Sequence, residues 1–252
     1  MEVVQSVERA LTILELLANY NDGLRIIEIS KKVNLHKSTV HRLIGTLIHK
    51  GYVTQDVESN KYKVTLKLFE LGNKKLEDMH ILNVSKIYIE KLMKTLNEVV
   101  HLVIRDENEI VYIDKVEADN TIRMASNIGR RSPLYCTSVG KAMLAYMTNE
   151  EVRNIWNNSK IEKRTSNTIT DFDILKRELE IIREKGYSVD DEENEIGVRC
   201  IGAPVFNRFG KVEGGISISG PSIRITKDKV EEVAHEVIKY ASMISKELGY
   251  IA

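Results

Sequence analysis

Cysteine is scarce in this chain and net charge is absent. Cys136 and Cys200 are the two cysteines among 252 residues, far apart and outside any CxxC pair, which excludes a disulfide framework and a cysteine-based zinc site. No run approaches the roughly 18 consecutive apolar residues of a membrane span. The start, 1–9, carries acids and a base where a secretory signal would need an apolar run. The expectation is a cytoplasmic protein with no membrane partner. A Pro/Gly/Ser-rich linker, an internal repeat, a GxSxG elbow and an HExxH pair are also missing. Gly140-Lys141 is no P-loop, since Tyr135 stands where the motif needs a glycine and Ala142 replaces its Ser/Thr. No catalytic residue, metal ligand or cofactor is expected.

Lysine plus arginine number 37, as do aspartate plus glutamate, and that balance by itself speaks against a nucleic-acid partner. Divided after Lys75, however, the front piece has an excess of four positive charges and the remainder an excess of four negative ones. Zero is a cancellation, and such asymmetry points to a basic nucleic-acid module joined to an acidic companion. With 42% hydrophobic and 29% charged residues, the chain can bury a real core, as one large domain or two modest ones.

Val7, Ala10, Leu11, Leu14, Leu17 and Ala18 recur at a helical period and predict an amphipathic helix over 6–20, closed by Asn21-Asp22-Gly23. A short helix over 25–32, burying Ile26, Ile29 and Val33, and a turn at 34–36 lead to a third helix over 37–50, ended by Gly51. Two β-rich runs, 52–55 and 61–64, flank a turn-rich segment and predict a hairpin. That order is the layout of a winged helix-turn-helix over 1–65. A linker helix over 66–80 follows, and the remainder, 81–252, begins with a helix over 83–96. Strands are expected at 99–105, 109–116, 122–128, 187–191, 200–206 and 212–219, with helices at 138–146, 149–156, 171–185 and 226–248. The fold class is α+β, its second domain a mainly antiparallel sheet with helices on one face.

On the third helix, Val40, Leu43 and Leu47 share the side that can pack, while Ser38, Thr39, Arg42 and Thr46 lie opposite. A recognition helix needs that division, because its outer face must present donors to base edges and phosphates in a major groove. Arg42 suits bidentate contact with guanine, Ser38 and Thr39 can hold phosphates or bases, and His36 and Lys37 flank a helix start that favours phosphate. Asn60 and Lys61 are placed at the hairpin tip, within reach of backbone or minor groove. From Leu35 to Lys50 there is no acid, so the partner expected is double-stranded DNA.

Along 214–219, Gly215, Ser217 and Ser219 point to one side; on the preceding strand Cys200, Gly202 and Pro204 alternate with Ile201, Ala203 and Val205. Paired, they can make a face of small and hydroxyl-bearing side chains, which suits a polar ligand or, alternatively, a closely packed helix. Thr137-Ser138-Val139-Gly140 precedes an apolar helix and can offer N–H groups to a carboxylate.

The blocks SVERALTILELL, HKSTVHRLIGTLIHKGYV, GRRSPLYCTSVGKAMLA, GVRCIGAPV and ISISGP resemble the IclR family of bacterial transcriptional regulators over nearly the whole chain. The resemblance implies a repressor-like regulator with a GAF/PAS-like effector domain, forming homodimers, often paired into homotetramers, on palindromic operators, with a pocket that takes small organic or aromatic acids. Carried over block by block, the effector residues are Met124, Ser138, Val139, Asp190, Cys200, Ser217 and Ser219. Tyr135 and Cys136 depart from the His and Ala of many members. DKVEADNTIRMASNIGRRSPLY and APVFNRFGKV resemble the branch that represses pectin and hexuronate catabolism in response to 2-keto-3-deoxygluconate. Two other readings stand beside this one: a sensor module signalling through protein contacts, and a small hydrolase using Cys200 or Ser217, whose blocks contain no histidine to serve as base.

Overall fold

In the computed structural model, which describes residues 3–77, 79–121 and 126–251, the chain divides into two units, 1–78 and 79–252. The first opens with α1 (Gln5–Ala18), whose Ile13, Leu14 and Leu17 are buried. Val7 and Leu11, assigned by the helical period to the inward side, are instead 56% and 53% exposed. The period registers every apolar residue, whereas only the side of α1 that meets the third helix and the hairpin has something to pack on. Helices α2 (Ile26–Lys32) and α3 (Lys37–His49) follow, and α3 buries Val40, Ile44 and Leu47. Leu43, expected in that set, is only half-buried, because Ile44 lies closer to the centre of the inward side.

The hairpin pairs β1 (Val53–Gln55) with β2 (Tyr62–Val64), antiparallel, Val53 opposite Val64. A bridge between Leu24 and Tyr62 ties it to the loop before α2. Gly23 makes that bridge feasible: at φ +72° it is in the left-handed region, and a Cβ there would meet the Tyr62 carbonyl oxygen at 2.5 Å. Next comes α4 (Lys67–Glu77).

The second unit starts with α5 (His80–Leu96) and carries a six-stranded antiparallel sheet of β3 (Val99–Asp106), β4 (Glu109–Val116), β5 (Arg131–Pro133), β6 (Ser188–Asp191), β7 (Val198–Phe206) and β8 (Val212–Pro221). The spatial order is β5-β4-β3-β8-β7-β6. Between β5 and β6 lie α6 (Ser138–Leu144), α7 (Asn149–Asn157) and α8 (Phe172–Lys185), and α9 (Val230–Glu247) closes the unit after a short 3-10 turn.

Two expectations need correction. Residues 126–128 form no strand: the chain turns at Ile128-Gly129, and Gly129 and Arg130 bond the Tyr112 backbone of β4 at 2.8 and 3.1 Å just before β5 begins; residues 122–125 of the expected strand lie outside the described residues. The helices, moreover, cover both faces of the sheet. A Cβ on Gly214 would meet Ile81 of α5, whereas one on Gly202 or Gly215 would meet Val139 of α6; α9 packs with α5, and α8 with α6. Burial states the same fact, because β8 is buried continuously from Gly214 to Pro221 instead of alternating, as a strand covered on both sides must be. Among the described residues no helix is long and apolar enough to cross a membrane.

Gly202 fixes how closely α6 approaches: a Cβ there would lie 2.6 Å from the Val139 backbone nitrogen. Gly202→Ala is expected to lower the free energy of unfolding by roughly 1–3 kcal/mol through overpacking, measured as a reduced urea midpoint. An unchanged midpoint would contradict this packing.

Candidate functional site

Two groups of residues carry chemistry, one in each unit. On α3 the outward side holds Ser38, His41, Arg42, Gly45, Thr46 and His49, all exposed, while Thr39 is half-buried. His36, in extended conformation before the helix, and Lys37, its first residue, are exposed as well. The Thr46 hydroxyl donates to the Arg42 carbonyl at 3.2 Å. His41 and Gly45 were not singled out from the sequence. Gly45 sits centrally on this side, and a Cβ there would meet nothing within 4 Å, so the helix backbone is bare at that point. The hairpin turn differs from the expected basic tip. Asp56 accepts from the Ser59 N–H and hydroxyl at 2.7 and 2.6 Å, which pushes Val57, 91% exposed, and Glu58 outermost. Asn60, at φ +55°, and half-buried Lys61 lie on the returning limb.

In the second unit the register brings the expected ligand residues into rows. One row runs Asp190, Cys200, Ser219, Val99; the next runs Ser188, Gly202, Ser217, His101, Lys115. Cross-strand partners point to the same side, so all of these face α6. Ser138 and Val139, in the first turn of α6, are buried over Gly202. Met124 lies outside the described residues.

His101 was missed by sequence reasoning. Its ring sits between two hydroxyls, Ser126 Oγ 2.7 Å from Nε2 and Ser219 Oγ 3.4 Å from Nδ1, and makes an edge contact with Tyr112 at 5.0 Å. Burial, aided by the Lys115 and Arg130 charges, depresses its pKa to about 3, so the imidazole is neutral. Burial also raises the Tyr112 hydroxyl to about 12, with Cys200 and Asp190 adding to the rise and Ser132 and Arg130 opposing it. Lys115 Nζ donates to Glu117 and to the Ser126 carbonyl, both at 2.7 Å. Two cations thus stand beside a face of hydroxyl, thiol and imidazole groups. Strand alternation alone could have placed His101 on one side of β3; nothing local says that β3 adjoins β8.

Asp190 is held by its own turn. Its Oδ1 accepts from the Glu193 and Asn194 N–H groups at 2.7 and 3.2 Å, yet burial outweighs these bonds and raises its carboxyl to about 6. Glu193 in turn pairs with Lys141, which is fully buried one turn into α6 and lies 3.4 Å from Glu178 as well. Burial raises Glu193 to about 7 against the attraction of Lys141. Thr165 and Thr168 hydroxyls donate to the Glu192 and Glu193 carbonyls at 2.6 Å each. Burial pushes the Cys200 thiol well above its ordinary range, so it is protonated and not a thiolate nucleophile; the nearby imidazole hydrogen-bonds Ser219. Among the described residues no group of His, Cys, Asp and Glu could hold a metal ion.

Comparison with known proteins agrees with both halves. The model of the IclR helix-turn-helix domain matches residues 6–57, and that of the bacterial transcriptional regulator IclR C-terminal domain matches residues 73–246. The HTH-type transcriptional regulator KdgR of Escherichia coli is 40% identical over 247 residues, covering 98% of this chain and 94% of that protein. The DNA-binding transcriptional repressor YiaJ of the same organism is 34% identical, covering 98% and 88%. The crystal structure of the Thermotoga maritima IclR superposes with a TM-score of 0.86 at 36% identity, covering 98% of this chain and 99% of that one.

The raised Asp190 carboxyl has a measurable sign. Its folded value lies above the ordinary 3.8, so its contribution to stability is present below 3.8 and is lost as pH rises through about 6. Asp190→Asn keeps the acceptor and removes the charge. Its melting temperature relative to wild type is expected to climb from about pH 4 to about pH 7, and a pH-independent difference would refute a buried, uphill carboxylate.

Proposed function

The chain belongs to the IclR family of bacterial transcriptional regulators, on the KdgR branch, and from that premise we propose how its residues read DNA and sense an effector. Residues 1–65 form the reader, 66–80 the connector and 81–252 the sensor. The reader inserts α3 into a major groove, with Arg42 on a guanine edge, Ser38, Thr39 and Thr46 on neighbouring bases or phosphates, and His36 and Lys37 on phosphate at the helix start. Asn60 and Lys61 approach the backbone from the hairpin. The observation that carries this reading is the exposed, acid-free outward side of α3, opposite a side that is fully buried.

The sensor takes a small organic acid against the sheet face under α6. Asp190 accepts from a ligand hydroxyl, Cys200, Ser217 and Ser219 donate, Ser138 and Val139 close the edge, and the cations Lys115 and Arg130 favour an anion. A polyhydroxylated keto acid such as 2-keto-3-deoxygluconate meets every one of these demands. A homodimer is supported by apolar side chains left exposed on α1, Val7 and Leu11, and on α4, Leu68, Phe69 and Leu71, the kind of surface that a second copy covers. Two such readers reach successive major grooves of a palindromic operator, and further pairing gives a tetramer. Effector binding shifts the spacing of the readers by favouring one arrangement over another. A DNA partner places the protein in the cytoplasm.

Arg42→Ala is expected to lose roughly 1–3 kcal/mol at one base-pair position, measured by gel shift on the protein's own upstream DNA; full retained affinity and specificity would refute Arg42 as the base-reading residue. In a thermal-shift panel of sugar acids, 2-keto-3-deoxygluconate at millimolar concentration is expected to raise the melting temperature of wild type but not of Ser219→Ala. A flat response of the wild type would sink that effector assignment.

A further inference from the structure

At one end of the sheet, β6 covers β7 only from Arg199 to Gly202, and among the described residues Ala203 to Phe206 have no strand beyond them. A cavity of about 190 Å³ fills that place, lined by Tyr146, Pro204, Phe206, Ile238, Ala241 and Tyr250. The volume exists because its other neighbours are small. Gly186 ends α8 in the left-handed region at φ +78°, and Ala203 contributes only a methyl group. The aromatic rings hold one another in place: Phe206 meets the edge of Tyr146 at 5.0 Å and stacks on Tyr250 at 5.0 Å.

Polar groups around the cavity are unequally engaged. Ser245 is spent, its hydroxyl accepting from the Phe206 N–H at 2.9 Å and donating to the Ala241 carbonyl at 2.8 Å. Ser242 and Lys246 are exposed at the mouth, and no ion pair of Lys246 is found among the described residues. Its neighbour Glu247 is engaged elsewhere, accepting from the Tyr88 hydroxyl at 2.9 Å. The Tyr146 hydroxyl donates to the Arg183 carbonyl at 3.5 Å, and the Arg183 guanidinium is turned to the Ala145 carbonyl at 2.7 Å. None of Asp190, Cys200, Ser217 or Ser219 lines this cavity.

We propose that this aromatic cavity is a second ligand site, distinct from the one under α6, and that it takes a small aromatic monocarboxylate. The size fits, since an apolar cavity of about 150 Å³ accepts benzene and this one leaves room for a substituent. Offset and edge-on ring contacts suit the aromatic lining, and Lys246 at the mouth supplies the complement to a carboxylate.

Benzoate is the probe, titrated calorimetrically into the full-length protein, with neutral benzamide as its control. Saturable binding is expected, with benzamide weaker. Lys246→Glu should weaken benzoate roughly tenfold and remove its advantage over benzamide. Ser242→Trp, on the exposed mouth, should abolish binding by closing the entrance, while Asp190→Asn leaves it unchanged. No saturable binding at millimolar benzoate would overturn the proposal. So would binding that ignores both mouth variants, or that follows Asp190→Asn and therefore belongs under α6. The readout does not involve DNA or sugar acids, so its failure and the failure of the effector assignment are separately visible.

Discussion

The seat of α6 on the sheet governs the second unit. Gly202, lacking a side chain, lets the Val139 backbone rest on β7, and the rest follows in sequence. Two residues further along α6, Lys141 is carried down to Glu193; Glu193 belongs to the turn whose N–H groups hold Asp190; and Asp190 thereby comes opposite Cys200. A buried ion pair is a poor source of net stability, because desolvation offsets most of its attraction. Its value here is positional, since it locates a carboxylate that burial would otherwise disfavour.

The first unit solves a different problem. Its α3 must be anchored firmly and still offer its outward side to another molecule. Val40, Ile44 and Leu47 do the anchoring, and the Leu24–Tyr62 bridge fixes the hairpin beside the same core. Within 1–78 the balance is an excess of two positive charges and within 79–252 of two negative ones, so attraction to a polyanion favours the first unit over the second. Affinity of that origin weakens steeply as salt is added.

Much of this was legible in the sequence, and the exceptions have physical causes. Helical periodicity located α1, α3, α8 and α9 to within a few residues, and strand alternation placed Cys200, Ser217 and Ser219 on one side. Burial of Val7 and Leu11 was misread because periodicity cannot say which side of a helix finds a partner. The helices were expected on one face because an antiparallel, hairpin-joined sheet commonly leaves its other face open, whereas the unbroken burial of β8 is the mark of a strand covered twice. His101, Tyr112 and the Lys141–Glu193 pair were invisible for a third reason. Each acquires its meaning from strands or helices brought together across long sequence separations, and no local pattern encodes that adjacency.

His101 is almost wholly withdrawn from solvent, as are Asp190 and Ser219. If these groups take the proposed effector, it cannot meet them by simple collision with the surface, because the structure over them must first part. Such a step makes the frequency of opening, and not diffusion, the limit on how fast a ligand is captured. The same cover slows escape once the ligand is inside. On the proposed reading, a sensor built this way would respond to a sustained supply of its ligand and average over brief fluctuations.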